Sequence, residues 1–241
     1  MATSSTDSTA SASPTSATEP KFKKKVQPKF KHPNEFVTLI ANKDNAGVKF
    51  TMHKEFACHY PPVLKAAFEG EFVEAQTQTY IISDYEEDVV RDLVEWFYSQ
   101  QVSGLCSILP FKIERFEHSA KITLNLTKLW ILADNLLIPG LQNYTIRQLK
   151  GVCNYYNYGP LQCFTFVYEH TGSSSPLRRW FLQRCARDMP SNSYSKFADG
   201  FPKEMLLELV EFFSKDGATG RYGIPPDEDM SAFEVSVSRK K

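Results

Sequence analysis

Two short segments of strict alternation, close together and followed at once by helical periodicity, constrain this chain more than any other feature. Val37-Thr38-Leu39-Ile40 places Val37 and Leu39 on one face. Val48-Lys49-Phe50-Thr51-Met52 places Val48, Phe50 and Met52 on one face, with Lys49 and Thr51 opposite. Period-two alternation marks a half-buried strand. Asn42-Lys43-Asp44-Asn45-Ala46-Gly47 between them supplies turn residues, so the pair predicts a hairpin. A third strand is predicted at Thr79-Tyr80-Ile81-Ile82, giving a small sheet from about 36–41, 48–52 and 79–82. Between the second and third strands, Pro61-Pro62-Val63-Leu64-Lys65-Ala66-Ala67-Phe68 predicts a helix, and Glu69-Gly70-Glu71-Phe72-Val73-Glu74 an acidic loop.

The next helix carries Val89, Val90, Leu93, Trp96 and Phe97 at helical spacing. Asp84, with Glu87 three residues on, has the arrangement of a capping box and predicts its start. Residues 99–121 form a long polar connection, expected to be the most mobile internal segment. Leu126, Leu129, Leu132, Ala133 and Leu136 then make one stripe; Pro139-Gly140 breaks it, and Leu141, Tyr144 and Leu149 begin a second helix, which predicts a helical hairpin. Gly151, Asn154, Asn157 and Gly159 predict a hinge at 151–159. Three more helices are expected over 160–215, one opening on Ser175-Pro176 as N-cap and first residue and one at Pro202. Their apolar stripes, such as Leu177, Phe181, Cys185 and Met205, Leu206, Leu209, Val210, Phe213, need a surface to pack on. The ends are different. Residues 2–18 are almost wholly Ser, Thr, Ala and Pro and predict disorder over 1–20; 216–241 is expected to be a flexible tail, disordered at 226–241. Lys21, Lys23, Lys24, Lys25, Lys29 and Lys31 make a basic arm that fits either a nuclear localisation signal or a solvated linker.

No catalytic or cofactor motif is present: the chain has no phosphate-binding glycine loop, nucleophile elbow or H-E-x-x-H. His53, Cys58 and His59 are the nearest approach to a reactive cluster, but further ligands are missing, so His53 reads as structural. The five cysteines are odd in number and form no C-x-x-C, which predicts reduced thiols in the nucleus or cytoplasm. No run approaches the ~18 apolar residues of a membrane span. Formal net charge is zero, so no broad basic field favours nucleic acid, although Arg178, Arg179, Arg184 and Arg187 share one predicted helix. With no cofactor and no chemistry, function is expected to lie in surfaces.

The order strand, strand, two helices, strand, helix over Val37–Val102 resembles a BTB/POZ domain. The residues that carry the resemblance are His53-Lys54 after the second strand, Pro62-Val63-Leu64 with Ala66, Ala67 and Phe68, then Phe72-x-Glu74, Asp84, and Trp96-Phe97-Tyr98. Leu129 to Leu141 is similar to the family's closing helix pair. The likeness covers about residues 34–150 and is strongest to small fungal proteins of the family. Departures are Pro61 in place of Ser, Ala57 in place of Leu, and Glu35 in place of Asp. The resemblance implies an α+β fold in which a small three-stranded sheet caps a helical cluster, followed by a C-terminal helical extension at 160–215. It also implies a non-catalytic protein–protein interaction module with protein partners, self-associating as a homodimer through apolar surface near Phe56 and Val63. The alternative it implies is a substrate adaptor docked on the cullin scaffold of a ubiquitin ligase, with Phe72 as anchor and Glu74 as orienting charge. A nucleic-acid-associated factor using the basic arm and the arginine helix is a third expectation.

Overall fold

The computed structural model describes residues 28–102, 115–156, 159–216 and 230–237. The expectations for residues 2–18 and most of the basic arm lie outside these. Strand β1 (Phe36–Ala41) pairs antiparallel with β2 (Val48–His53), Val37 facing Met52 and Leu39 facing Phe50. On its other side β1 pairs in parallel with β3 (Thr79–Ile82), so the order is β2-β1-β3. The alternation works as read: Val37, Leu39 and Ala41 are buried on one face of the central strand. Asp44, Asn45 and Gly47 hold positive φ in the β1–β2 turn, a conformation these residue types tolerate.

A parallel neighbour requires a crossover. Here it is built from α1 (Lys54–His59), α2 (Pro62–Glu69) and α3 (Val73–Thr77). Pro62 stands at the first helical position, where its missing N–H costs nothing, and Pro61 precedes it in extended geometry. Helix α4 (Glu87–Ser99) then buries Val89, Val90, Leu93, Trp96 and Phe97 against the sheet and α1.

The start of α4 differs from the sequence expectation. Asp84 has φ 66° and lies in a turn, while Glu86 is the N-cap and its carbonyl accepts from the Val89 N–H at 3.1 Å. The Glu86 side chain is drawn away from capping by two ammonium groups, Lys43 from the β1–β2 turn and Lys128 from the next helix. The polar connection is also shorter than 99–121. Val102 is buried with its N–H bonded to the Tyr144 hydroxyl at 3.1 Å, and helix α5 (Arg115–Asn135) begins well before residue 121. Residues 103–114 lie outside the description.

Helix α5 and α6 (Pro139–Tyr156) form the expected hairpin. Leu137 takes φ 57°, the Ile138 N–H reaches back to the Ala133 carbonyl at 2.8 Å, and Pro139 opens the next helix. The Gln142 amide clamps the corner by donating to Asp134 Oδ1 at 2.9 Å. The hinge expected at 151–159 is mostly helix: α6 runs on through Tyr156 because Val152 and Cys153 are buried.

Helix α5 explains how the chain is organised. Leu129, Leu132, Ala133 and Leu136 join a core formed with the sheet, α1, α2 and α4. Leu126, Trp130 and Ile131, on its other side, join a second core with α6, α7 (Leu161–His170), α8 (Pro176–Asp188) and α10 (Lys203–Asp216). Leu126, placed in one stripe by sequence, therefore turns to the opposite core. Short helix α9 (Ser191–Lys196) lies between α8 and α10. Ser175 is the N-cap of α8 as expected, but its hydroxyl makes no capping bond. A helix apolar on both sides is a shared wall; the helical extension is thus continuous with the first unit.

The tail corrects another expectation. Residues 230–233 form a 3-10 turn whose Met230 and Phe233 are buried in the second core. Asn143 on α6 donates to the Val235 carbonyl at 2.9 Å and accepts its N–H at 2.7 Å, so one side-chain amide satisfies both backbone groups of Val235. Arg147 pairs with Glu234, and Arg179 donates to the Ala232 carbonyl. Residues 217–229 and 238–241 lie outside the description.

The Lys43–Glu86–Lys128 triad ties the sheet, α4 and α5 together. Burial acts to raise the Glu86 pKa, but hydrogen bonds from Lys128 and Lys43 outweigh it and hold the carboxyl at about 2. A depressed carboxyl stabilises the fold above its unfolded pKa, and that stability is lost as pH falls from about 4.5 through about 2. With the side chain partly solvated, Glu86→Gln is expected to cost ~1–2 kcal/mol near neutral pH and only a few tenths of that near pH ~2. Denaturant unfolding of both proteins across this range checks it; a gap that does not change with pH contradicts it.

Candidate interaction surface

The sequence between α2 and β3 builds a rigid turn around Phe72. Gly70 ends α2, and a Cβ there would meet the Ala66 carbonyl oxygen at 2.4 Å, so glycine is required for the chain to turn this sharply. Phe72 becomes the N-cap of α3, and its carbonyl accepts from the Ala75 N–H at 3.0 Å. Thr77 Oγ1 donates to the Val73 carbonyl at 3.0 Å. Gln78, at φ 50°, locks both ends: its amide donates to the Ala75 carbonyl at 2.6 Å and to the Phe68 carbonyl at 3.3 Å. The acidic loop expected at 69–74 is a tight turn at 70–72, and Val73 and Glu74 already belong to the short helix α3.

This turn pushes apolar side chains outward. Phe72 and Val73 are each 63% exposed. Exposed Glu69 and Glu71 precede them in the chain and half-buried Glu74 follows. Burial chiefly, with the charge of Glu74 added, raises the Tyr80 pKa. Glu69 pairs with Lys65 at 3.8 Å, which leaves Glu71 and Glu74, next to Phe72 and Val73 in the chain, as the acidic groups that can meet basic groups flanking an apolar insertion.

The other expected contact residues are placed differently. Phe56 is 5% exposed and packs its ring on Tyr98 at 4.6 Å and under Phe30 at 4.9 Å. Val63 is half-buried against the first core. Neither presents an open surface, because α1 and α2 turn these side chains toward α4 and the sheet. His53 is structural as read: its Nδ1 meets the Tyr98 hydroxyl at 2.8 Å, and its ring touches Phe30, Phe36 and Phe56.

A second exposed apolar set went unseen in the sequence. The stripe on α10 splits, with Met205 and Leu209 buried while Leu206, Leu207, Val210 and Phe213 are exposed. Helical spacing groups residues by face but does not say which face meets the core when apolar residues lie on both.

The arginines of α8 are used internally. Arg178 pairs with Glu208 and lies over the Tyr168 ring, Arg184 bonds Asn154 and Asp188, and Arg187 bonds Asp188. Charges committed to the fold have little left for a phosphate backbone. Cys58, Cys153, Cys163 and Cys185 are free and buried, and burial raises the thiols of Cys58 and Cys185 to about 11 and that of Cys163 to about 12. They behave as small apolar groups. Among the described residues no group of three or more His, Cys, Asp or Glu could hold a metal ion, and no helix is long and apolar enough to cross a membrane. A cleft is lined by Lys43, Asp44, Tyr85, Glu86 and Glu87, and its lysine and Glu86 are paired with each other.

No known protein-family description matches the chain, and no curated protein is significantly similar to it.

Proposed function

We propose that this chain is a protein–protein interaction module of BTB/POZ type that acts by contact and not by catalysis. The observation that carries the reading is the exposure of Phe72 and Val73 on a turn held by Gly70 and Gln78. A fold that spends a glycine and an amide clamp on displaying two apolar side chains keeps them ready for a partner, with little ordering entropy lost on binding. The order of elements in the first unit supports the same family reading. Its more specific form is an adaptor on a cullin scaffold, in which Phe72 is the anchor and Glu74 the orienting charge.

Titration of the full chain against a purified cullin scaffold tests this form. Phe72→Ala is expected to weaken binding by ~2 kcal/mol or more, roughly thirtyfold, as truncation of a buried aromatic anchor does. Glu74→Ala should cost less, because a half-buried charge at the rim loses mainly orientation and on-rate. Absence of wild-type binding at ~100 μM removes the cullin form and leaves the partner to be sought elsewhere.

A homodimer is a second reading, favoured by one observation: β3 is an edge strand with Ile81 exposed. An edge with an apolar side chain is a ready pairing surface. Sedimentation at ~50 μM should then give a dimer, and a clean monomer contradicts it. Ile81→Lys is expected to dissolve the dimer without loss of fold.

A further inference from the structure

The start of the described chain behaves as a bound peptide. Pro28 is half-buried, and the Phe30 ring packs on His53 at 5.0 Å and on Phe56 at 4.9 Å. Directly after it, the Lys31 N–H donates to both carboxylate oxygens of Glu55 at 2.8 Å, and the His32 N–H donates to Oε1 at 2.8 Å. The seat is preformed by the fold. The Tyr98 hydroxyl fixes the His53 ring and accepts the His53 N–H at 3.0 Å, while Phe56 rests on Tyr98. Recognition thus has two parts: one aromatic ring in an aromatic seat, and two backbone N–H groups on the Glu55 carboxylate. Phe30 remains 56% exposed, so the ring lies in a shallow seat and not in a closed core.

The chain carries this ligand twice. Pro28-Lys29-Phe30-Lys31 is preceded, eight residues earlier, by Pro20-Lys21-Phe22-Lys23. The two residues that supply N–H groups to Glu55 are Lys31 and His32 in the bound segment; their counterparts, Lys23 and Lys24, are also non-prolyl and can donate alike. Every contact the seat makes with residues 28–32, apart from the His32 bridge to Glu35, is available to residues 20–24.

We propose that the seat formed by His53, Glu55, Phe56 and Tyr98 is a recognition site for Pro-Lys-Phe-Lys segments, and that residues 20–24 of the same chain are its second occupant, exchanging with residues 28–32. The tether makes this exchange intramolecular. The span from the seated ring to Phe36 grows from six residues to fourteen, which loop-closure entropy penalises by only roughly fourfold. The His32–Glu35 contacts, 3.1 Å between backbone groups and 3.9 Å between side chains, add to the preference for Phe30. Phe30 is therefore the main occupant, and Phe22 takes its place when Phe30 leaves. Peptide recognition by an aromatic pocket together with backbone hydrogen bonds follows from the same physics in general.

The test is fluorine NMR of the full chain with 4-fluorophenylalanine at position 22. In the otherwise unchanged chain the resonance should be that of a solvated ring. In Phe30→Ala it should shift and broaden as Phe22 enters the seat, and Glu55→Gln added to Phe30→Ala should lower the equilibrium constant for seating by ~tenfold. The seated fraction should not change over a ~tenfold dilution, because the exchange is within one chain. A position-22 resonance that is the same with and without Phe30 overturns the proposal. So does a seated fraction that falls with dilution, which would assign the occupant to a second copy. A labelled peptide of residues 17–26 gives an independent reading. It should bind the Phe22→Ala/Phe30→Ala double variant at least ~tenfold more tightly than Phe30→Ala, whose own Phe22 competes for the seat. Equal affinity for the two variants also overturns the proposal.

Discussion

Trp96→Ala is expected to lower stability by ~3–5 kcal/mol and Leu93→Ala by ~2–5 kcal/mol, measured by denaturant unfolding. Both side chains are essentially without solvent contact. Trp96 meets Tyr60 at 5.1 Å and lies beside Phe97, so removing it empties space between α1 and α4 that the surrounding rings cannot fill by small shifts. Leu93 sits one turn earlier on the same buried face of α4, in the core beneath the sheet. Because α5 walls both cores, the loss should appear as one transition shared by the whole described fold, with no early melting of the extension. A loss below ~0.5 kcal/mol at both positions would mean that α4 faces solvent, against the packing described.

Asp92→Asn is expected to stabilise the protein above neutral pH by ~2–4 kcal/mol and to change little near pH ~4. Burial chiefly, with the nearby charges of Glu95 and Asp88, raises the Asp92 carboxyl to about 7, and Arg91 offsets only part of this. The sign follows from linkage. A carboxyl whose folded pKa is raised is tolerated while protonated, and stability falls as pH rises from its ordinary value through about 7. Asparagine keeps the shape and removes the ionisation. Unfolding free energies at acid and at mildly alkaline pH check it: a stabilisation that is equal at both would assign the effect to packing and not to charge.

How much of this was legible in the sequence depends on which physical signal each element emits. The β1–β2 hairpin and β3 were readable because alternation and turn residues agree there, and the register put the expected residues inside. The α5–α6 corner was readable because Pro139 stops a helix and starts another. The start of α4 was misplaced because Asp84-x-x-Glu87 has capping chemistry, yet Lys43 and Lys128 claim Glu86 and fix the start two residues later than an Asp84 cap would. Those partners are 43 and 42 residues away in sequence, and no local pattern contains them. The hinge at 151–159 was suggested by Gly151, but a single glycine does not end a helix whose Val152 and Cys153 are needed in a core. The tail looked too polar to pack; its two anchors, Met230 and Phe233, are sparse, and Asn143 meets Val235 at a separation of 92 residues. In the candidate site, Phe72 and Glu74 were visible as a pattern, whereas the geometry that exposes them depends on Gly70 and Gln78, whose roles appear only when α2 and α3 are placed. Phe56 is packed on one side by Tyr98 and on the other by Phe30, a contact from outside the first helices that local spacing does not contain.

We propose that this protein works through a displayed surface centred on Phe72. Side-by-side affinity capture with the full chain and its Phe72→Ala variant, each paired with a thermal melt, tests that claim most directly. The account predicts that the wild type retains a defined partner, that Phe72→Ala loses most of it, and that the two melt within ~1 °C of each other, since a side chain 63% exposed contributes little to the core. Equal capture by both proteins, or a Phe72→Ala variant that melts several degrees lower, would contradict it: the first would place the contact elsewhere, and the second would make Phe72 part of the fold.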